Sequence, residues 1–152
     1  MTDTKFARRE FLGLAGAGAV TLTLMPLSAA ATPAQVLAAV EKVVGAKAPK
    51  EGRVAITLPE IAENGGVVPF KCAVESPMTE ADHVKAIHVF ADGNPLPDVA
   101  TYHLGPHNGR AEISFRVRLA KSQKLVAVAE MSDGKVFMAS REIKVTLGGC
   151  GG

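Results

Sequence analysis

The chain has 152 residues, with 17 Lys and Arg against 15 Asp and Glu, no Trp and one Tyr. A near-neutral balance with no basic run and no aromatic platform argues against a nucleic-acid partner. Two cysteines, Cys72 and Cys150, leave room for one disulfide at most.

Residues 1–31 read as a targeting segment. Arg8-Arg9-Glu10-Phe11-Leu12-Gly13 is a twin-arginine signature. The apolar stretch from Leu12 to Leu24 is shorter than the roughly 20 residues a membrane-spanning helix needs. Ser28-Ala29-Ala30-Ala31 then fits a small-residue cleavage site, so the mature chain is expected to start at Thr32. The expected product is periplasmic, exported folded, and not membrane-associated after cleavage. Folded export suits a protein that must first acquire something in the cytoplasm. No cofactor motif follows, so a partner subunit without its own signal is the better fit.

Roughly 120 residues remain, enough for one domain with a modest core. Removing Lys5, Arg8, Arg9, Asp3 and Glu10 leaves 14 basic and 13 acidic residues. Residues 32–45 read as a helix with Thr32 as N-cap, Pro33 in the first turn and Gly45 as the stop. Val36, Leu37, Val40, Val43 and Val44 form an apolar face that needs a cover, either the main domain or another subunit.

Residues 46–147 read as β. Strands are expected at Val54–Leu58, Val67–Glu75, His83–Ala91, Val99–Leu104, Ala111–Leu119, Leu125–Met131 and Val136–Leu147. The fifth alternates cleanly, with Ala111, Ile113, Phe115, Val117 and Leu119 on one face. Asp133-Gly134 is placed for a hairpin turn. Together these predict an all-β, antiparallel, immunoglobulin-like sandwich of about seven strands, with an N-terminal helix.

The tail reads Gly148-Gly149-Cys150-Gly151-Gly152. Residues 148–152 are expected to leave the sheet as a flexible arm, which puts Cys150 roughly 10 Å beyond Leu147. No neighbouring His, Lys or Arg activates the thiol, so its pKa should sit near the ordinary value of about 8.5. A self-sufficient nucleophile needs an adjacent base. Cys150 therefore reads as a handle on which other enzymes act, and the chain as a carrier rather than an enzyme. Cys72 lies in a strand and reads as a buried apolar residue, with a bridge or redox role as the alternative.

Other chemistry has little support. His83, His88, His103 and His107 read as surface or loop residues, and no ligand spacing suggests a metal. The acidic residues read as solubilising groups on turns and wet strand faces. A ubiquitin-like carrier using the terminal carboxylate needs ATP, which the exported leader disfavours. A periplasmic thiol redox protein or metal chaperone using Cys150 is the main alternative, and it lacks Cys-x-x-Cys spacing. An adhesion or interaction domain with an incidental tail is the blandest reading.

The segment Val145-Thr146-Leu147-Gly148-Gly149-Cys150-Gly151-Gly152 resembles the C-terminus of SoxY, the sulfur-carrier family of bacterial thiosulfate oxidation. Pro59–Gly65, Glu75–Val84, Met131–Gly134 and the twin-arginine leader are similar to that family as well. The resemblance implies a heterodimer with a SoxZ-like subunit. It implies loading of thiosulfate onto Cys150 by the heme enzyme SoxXA, release of sulfate by the hydrolase SoxB, and either oxidation of the remaining persulfide by a sulfur dehydrogenase or its transfer elsewhere. It makes Cys150 the attachment residue and Gly148, Gly149, Gly151 and Gly152 a swinging arm. No cofactor is implied beyond the covalently bound sulfur.

Overall fold

A computed structural model describes residues 30–149. The leader with Arg8 and Arg9, and the terminal Cys150, Gly151 and Gly152, lie outside the described residues.

Helix α1 spans Pro33–Val44 and starts as its sequence suggests. The Gln35 N–H donates to Thr32 Oγ1 (3.3 Å), and the Thr32 N–H donates to Gln35 Oε1 (2.8 Å). This reciprocal capping box satisfies two backbone donors that a helix start leaves without partners. Gly45, at φ 70°, ends the helix. Just before it, Ala31 is buried and its N–H donates to the Asn94 carbonyl (2.7 Å).

Eight strands follow: β1 (Val54–Thr57), β2 (Ile61–Asn64), β3 (Val68–Val74), β4 (Val84–Ala91), β5 (Asp98–His103), β6 (Ala111–Val117), β7 (Gln123–Met131) and β8 (Val136–Leu147). They form a three-stranded sheet, β1-β3-β6, and a five-stranded sheet, β2-β8-β7-β4-β5. The inner faces share one core, with Phe70, Cys72 and Ile113 from the smaller sheet and Ile87, Val89, Leu125 and Ile143 from the larger. In the β7–β8 hairpin only Gly134 takes a left-handed φ (82°).

The sequence expectation is corrected in two respects. Among the described residues there are eight strands rather than about seven, and the pairing is not wholly antiparallel, because β2 runs parallel to β8. The missed strand, Ile61-Ala62-Glu63-Asn64, buries only Ala62, so it shows no apolar alternation. It is held through its backbone, in register with Lys144, Val145 and Leu147.

The helix face finds its cover within the same chain. Val36, Val40 and Val44 pack on Phe90, Val126, Val128 and Val136, on the outer face of the larger sheet. Leu37 and Val43 stay exposed. A partner subunit is therefore not needed to bury this face, and one argument for a partner falls away. The middles of β4 and β7 are covered on both sides, which explains their continuously buried runs, Ile87-His88-Val89-Phe90-Ala91 and Leu125–Ala129.

This packing predicts unequal costs on one helix. Val40→Ala is expected to destabilise the domain by about 1–2 kcal/mol, and Leu37→Ala by less than about 0.5 kcal/mol. Urea unfolding of the isolated chain checks this. Equal, negligible shifts would mean that the helix is not docked.

Candidate functional site

The tail does not leave the sandwich where β8 ends. Beyond Leu147 the chain runs into a slot between two turns, one joining β2 to β3 and one joining β6 to β7. Backbone bonds close this slot in sequence. The Gly65 N–H donates to the Leu147 carbonyl (2.7 Å), the Leu119 N–H donates to the Gly65 carbonyl (2.8 Å), and the Gly149 N–H donates to the Leu119 carbonyl (2.9 Å). The ring ties the β2–β8 edge of the larger sheet to the end of β6 in the smaller one.

Only glycine fits inside that ring. A Cβ on Gly148 would stand 2.1 Å from the Ala120 carbonyl oxygen. One on Gly149 would stand 2.7 Å from both Cα and N of Gly66, and one on Gly65 would stand 2.3 Å from the Leu119 carbonyl oxygen. All three distances are far inside van der Waals contact, and the opposing atoms are backbone, which cannot swing aside. Gly66 differs, since its Cβ would meet nothing closer than the Asn64 side-chain oxygen at 3.0 Å. Gly148 and Gly149, expected in an arm, are placed against the sandwich. They are glycines because backbones approach closely there, and both sit in the slot.

Side chains hold the far wall in place. Asn94 Nδ2 donates to the Arg118 carbonyl (2.9 Å), and Asn94 Oδ1 accepts from the Ala120 N–H (3.0 Å) and from Gln123 Nε2 (2.9 Å). Gln123 Oε1 in turn accepts from the Gly93 N–H (2.9 Å). Ser122 Oγ accepts from the Val145 N–H (2.8 Å), clipping the β6–β7 turn to the last strand. The sequence offered no sign of this grouping, because its members lie up to 84 positions apart. Gly65-Gly66 could be read there only as turn punctuation.

Cys72 lies in the middle of β3, wholly buried and opposite Ile56 and Ile113. Burial pushes its thiol up to about 12, so it stays protonated and unreactive at physiological pH. That removes Cys72 from any redox pairing in the folded domain. His88 departs from expectation, because it is buried rather than on a surface or loop. Its Nδ1 lies 3.0 Å from Thr101 Oγ1 and its Nε2 3.1 Å from Glu130 Oε1. Glu130 is thereby a structural partner, not a solubilising surface group. His83 Nδ1 sits 2.9 Å from the Thr79 carbonyl oxygen in the β3–β4 turn, and His103 and His107 are exposed. Among the described residues, no cluster of three or more His, Cys, Asp or Glu side chains is placed to hold a metal ion.

The described residues thus form a two-sheet sandwich with one buried, protonated thiol, and in sequence the second cysteine directly follows a glycine-only slot. Residues 40–150 match the family described as sulfur oxidation protein SoxY, and the chain belongs to that family. The sulfur carrier protein SoxY from Chlorobium limicola f. thiosulfatophilum is 34% identical, with a TM-score of 0.64 over 75% of this chain and 98% of that one. A superoxide reductase (neelaredoxin) from Ignicoccus hospitalis is 20% identical, with a TM-score of 0.56 over 76% of this chain and 94% of its own. A putative superoxide reductase from Thermotoga maritima is 23% identical, with a TM-score of 0.53 over 60% and 84%. These last two share the fold alone. No curated protein sequence matches the chain. Family membership supports a sulfur-carrier role in sulfur oxidation.

The contrast between the two thiols is testable. Alkylation of the native protein at pH 8 is expected to spare Cys72, which reacts only after unfolding. Labelling of Cys72 in the native state, seen by peptide mass spectrometry, would contradict its placement. The buried thiol also favours the folded state fully below pH 9. That contribution is lost as pH rises from 9 to about 12, where the unfolded chain ionises and the folded one does not.

Proposed function

We propose that this protein carries sulfur intermediates covalently on Cys150 in the periplasm and presents them to separate enzymes. The observation that carries this reading is the family match, which runs through residue 150 and so includes the terminal cysteine. The slot supports it, since the last strand delivers the chain to one end of the sandwich immediately before that cysteine. The burial of Cys72 supports it as well, because it leaves Cys150 as the thiol for chemistry.

The chemistry runs in two steps. The Cys150 thiol joins the outer sulfur of thiosulfate in an oxidative step that releases one proton and two electrons, which a SoxXA-like heme enzyme takes up. The product is a cysteine S-thiosulfonate. Water then cleaves the bond between the terminal sulfone and the sulfane sulfur, catalysed by a SoxB-like hydrolase. Sulfate and two protons leave, and a persulfide remains on Cys150 for a sulfur dehydrogenase or another acceptor. A SoxZ-like subunit completes the carrier, and the twin-arginine leader with Arg8 and Arg9 exports the pair folded. Neither step draws on a base from this chain, so the catalytic groups come from the partners.

Cys150→Ser is expected to abolish sulfur loading while leaving the fold and partner binding unchanged. Intact-protein mass spectrometry after growth on thiosulfate provides the check. Adducts that persist in the Ser variant, or a Cys150 peptide that is always an unmodified thiol, would sink the reading.

A further inference from the structure

The glycine slot does more than end the last strand. We infer that Gly65, with the carbonyls of Leu119 and Ala120, forms a seat for the root of the thiol-bearing tail. The seat gives the cysteine two reaches. With Gly148 and Gly149 seated, a single peptide link of about 3.8 Å between Cα atoms separates the last held residue from Cys150. With the seat open, the chain is held only through Leu147, and Cys150 has three residues of reach, roughly 10 Å, in place of one. A partner with a shallow site can use the seated tail, whereas one with a deep, narrow channel must unseat it. Gly65, Gly148 and Gly149 are therefore positioning residues. This inference deepens the carrier reading and rests on it for its functional meaning, although the seat itself can be tested without sulfur.

Steric fit makes the test sharp, because neighbouring glycines predict opposite outcomes. Gly65 lies far from the tail in sequence, so Gly65→Ala alters the seat and leaves the arm's own residues intact. Its Cβ would meet the Leu119 carbonyl oxygen at 2.3 Å and the Gly149 nitrogen at 2.8 Å, the two atoms of the bond that holds the tail. Gly148→Ala and Gly149→Ala block the seat from the tail side. Gly66→Ala presses only on the Asn64 side chain, whose Oδ1 it meets at 3.0 Å, and leaves the seat usable.

The experiment measures amide hydrogen exchange at residue 149 in the full mature chain. In parallel it follows Cys150 alkylation by a small reagent, iodoacetamide, and by a bulky polymer-linked maleimide. Exchange at residue 149 is expected to be protected in the parent and in Gly66→Ala. In Gly65→Ala, Gly148→Ala and Gly149→Ala it should run about tenfold faster, the loss expected for one broken hydrogen bond. The bulky-to-small labelling ratio at Cys150 should rise several-fold in the same three variants. Circular dichroism of β content guards against misfolding. If Gly65→Ala fails to fold, the two tail-side variants, which lie past the last strand, still decide the matter. An unprotected residue 149 in the parent, or equal behaviour of Gly65→Ala and Gly66→Ala, overturns the seat. Persistent loading of Cys150→Ser overturns the carrier reading and leaves the exchange pattern untouched.

Discussion

The placement of residues 147–149 depends on one close approach of three backbone stretches, at residues 65–66, 119–120 and 147–149. Three hydrogen bonds of 2.7–2.9 Å run around this ring and join an edge of the larger sheet to the end of a strand in the smaller. Backbones come this near only where no Cβ intervenes. The shortest hypothetical contact, 2.1 Å at Gly148, shows how little room remains. None of Gly65, Gly148 and Gly149 takes a left-handed φ, so space and not backbone conformation demands glycine at these positions. The buttress of Asn94 and Gln123 satisfies the polar groups of the facing turn. No buried side-chain nitrogen or oxygen among the described residues lacks a partner.

The two cysteines divide along the same physical line. Cys72 occupies a core position where an apolar side chain of similar size would serve, and desolvation keeps its thiol protonated. It therefore cannot compete for reactive sulfur while the domain is folded. Cys150 follows a residue held at the sandwich end by a single backbone bond, away from that core. For the proposed carrier role, a body that keeps Cys72 inert by burial can hold activated sulfur on Cys150 without self-capture by an internal disulfide.

Much of this architecture was legible in the chain. Thr32, Pro33 and Gly45 marked the helix ends, and the alternation of Ala111, Ile113 and Val117 marked a half-buried strand. What stayed hidden had one physical origin, contacts between residues distant in sequence. Strand β2 carries no alternation, because its pairing with β8 is a backbone matter. The cover for the helix face was invisible, because Phe90, Val126 and Val128 are interleaved with the inward set Val89, Leu125 and Ala127 and so look like one continuous apolar run. The burial of His88 leaves no mark in the sequence, because its partners, Glu130 and Thr101, lie on neighbouring strands. The glycines of the tail were legible as glycines but not for their reason. Beside Cys150 they suggest freedom, and only with Gly65 and Ala120 in place do they become a matter of fit.

Magnitudes then decide whether such a seat is a lock or a latch. Hydrophobic burial contributes little, since Leu147 at its entrance is 69% exposed and Val67 beside Gly66 is 55% exposed. What holds Gly149 is one backbone hydrogen bond, worth about 0.5–1.5 kcal/mol net, together with snug packing of backbone against backbone. At about 1 kcal/mol the unseated form would make up on the order of one molecule in ten, before any partner is present. A lock of several kcal/mol would demand that each partner enzyme supply that much differential binding merely to reach the thiol. A latch near thermal energy asks for almost none, and it still draws the tail back to one place after each visit. That balance suits a carrier that meets several enzymes in turn. It also explains why hydrogen bonding and shape, rather than an apolar clasp, hold the root of the tail.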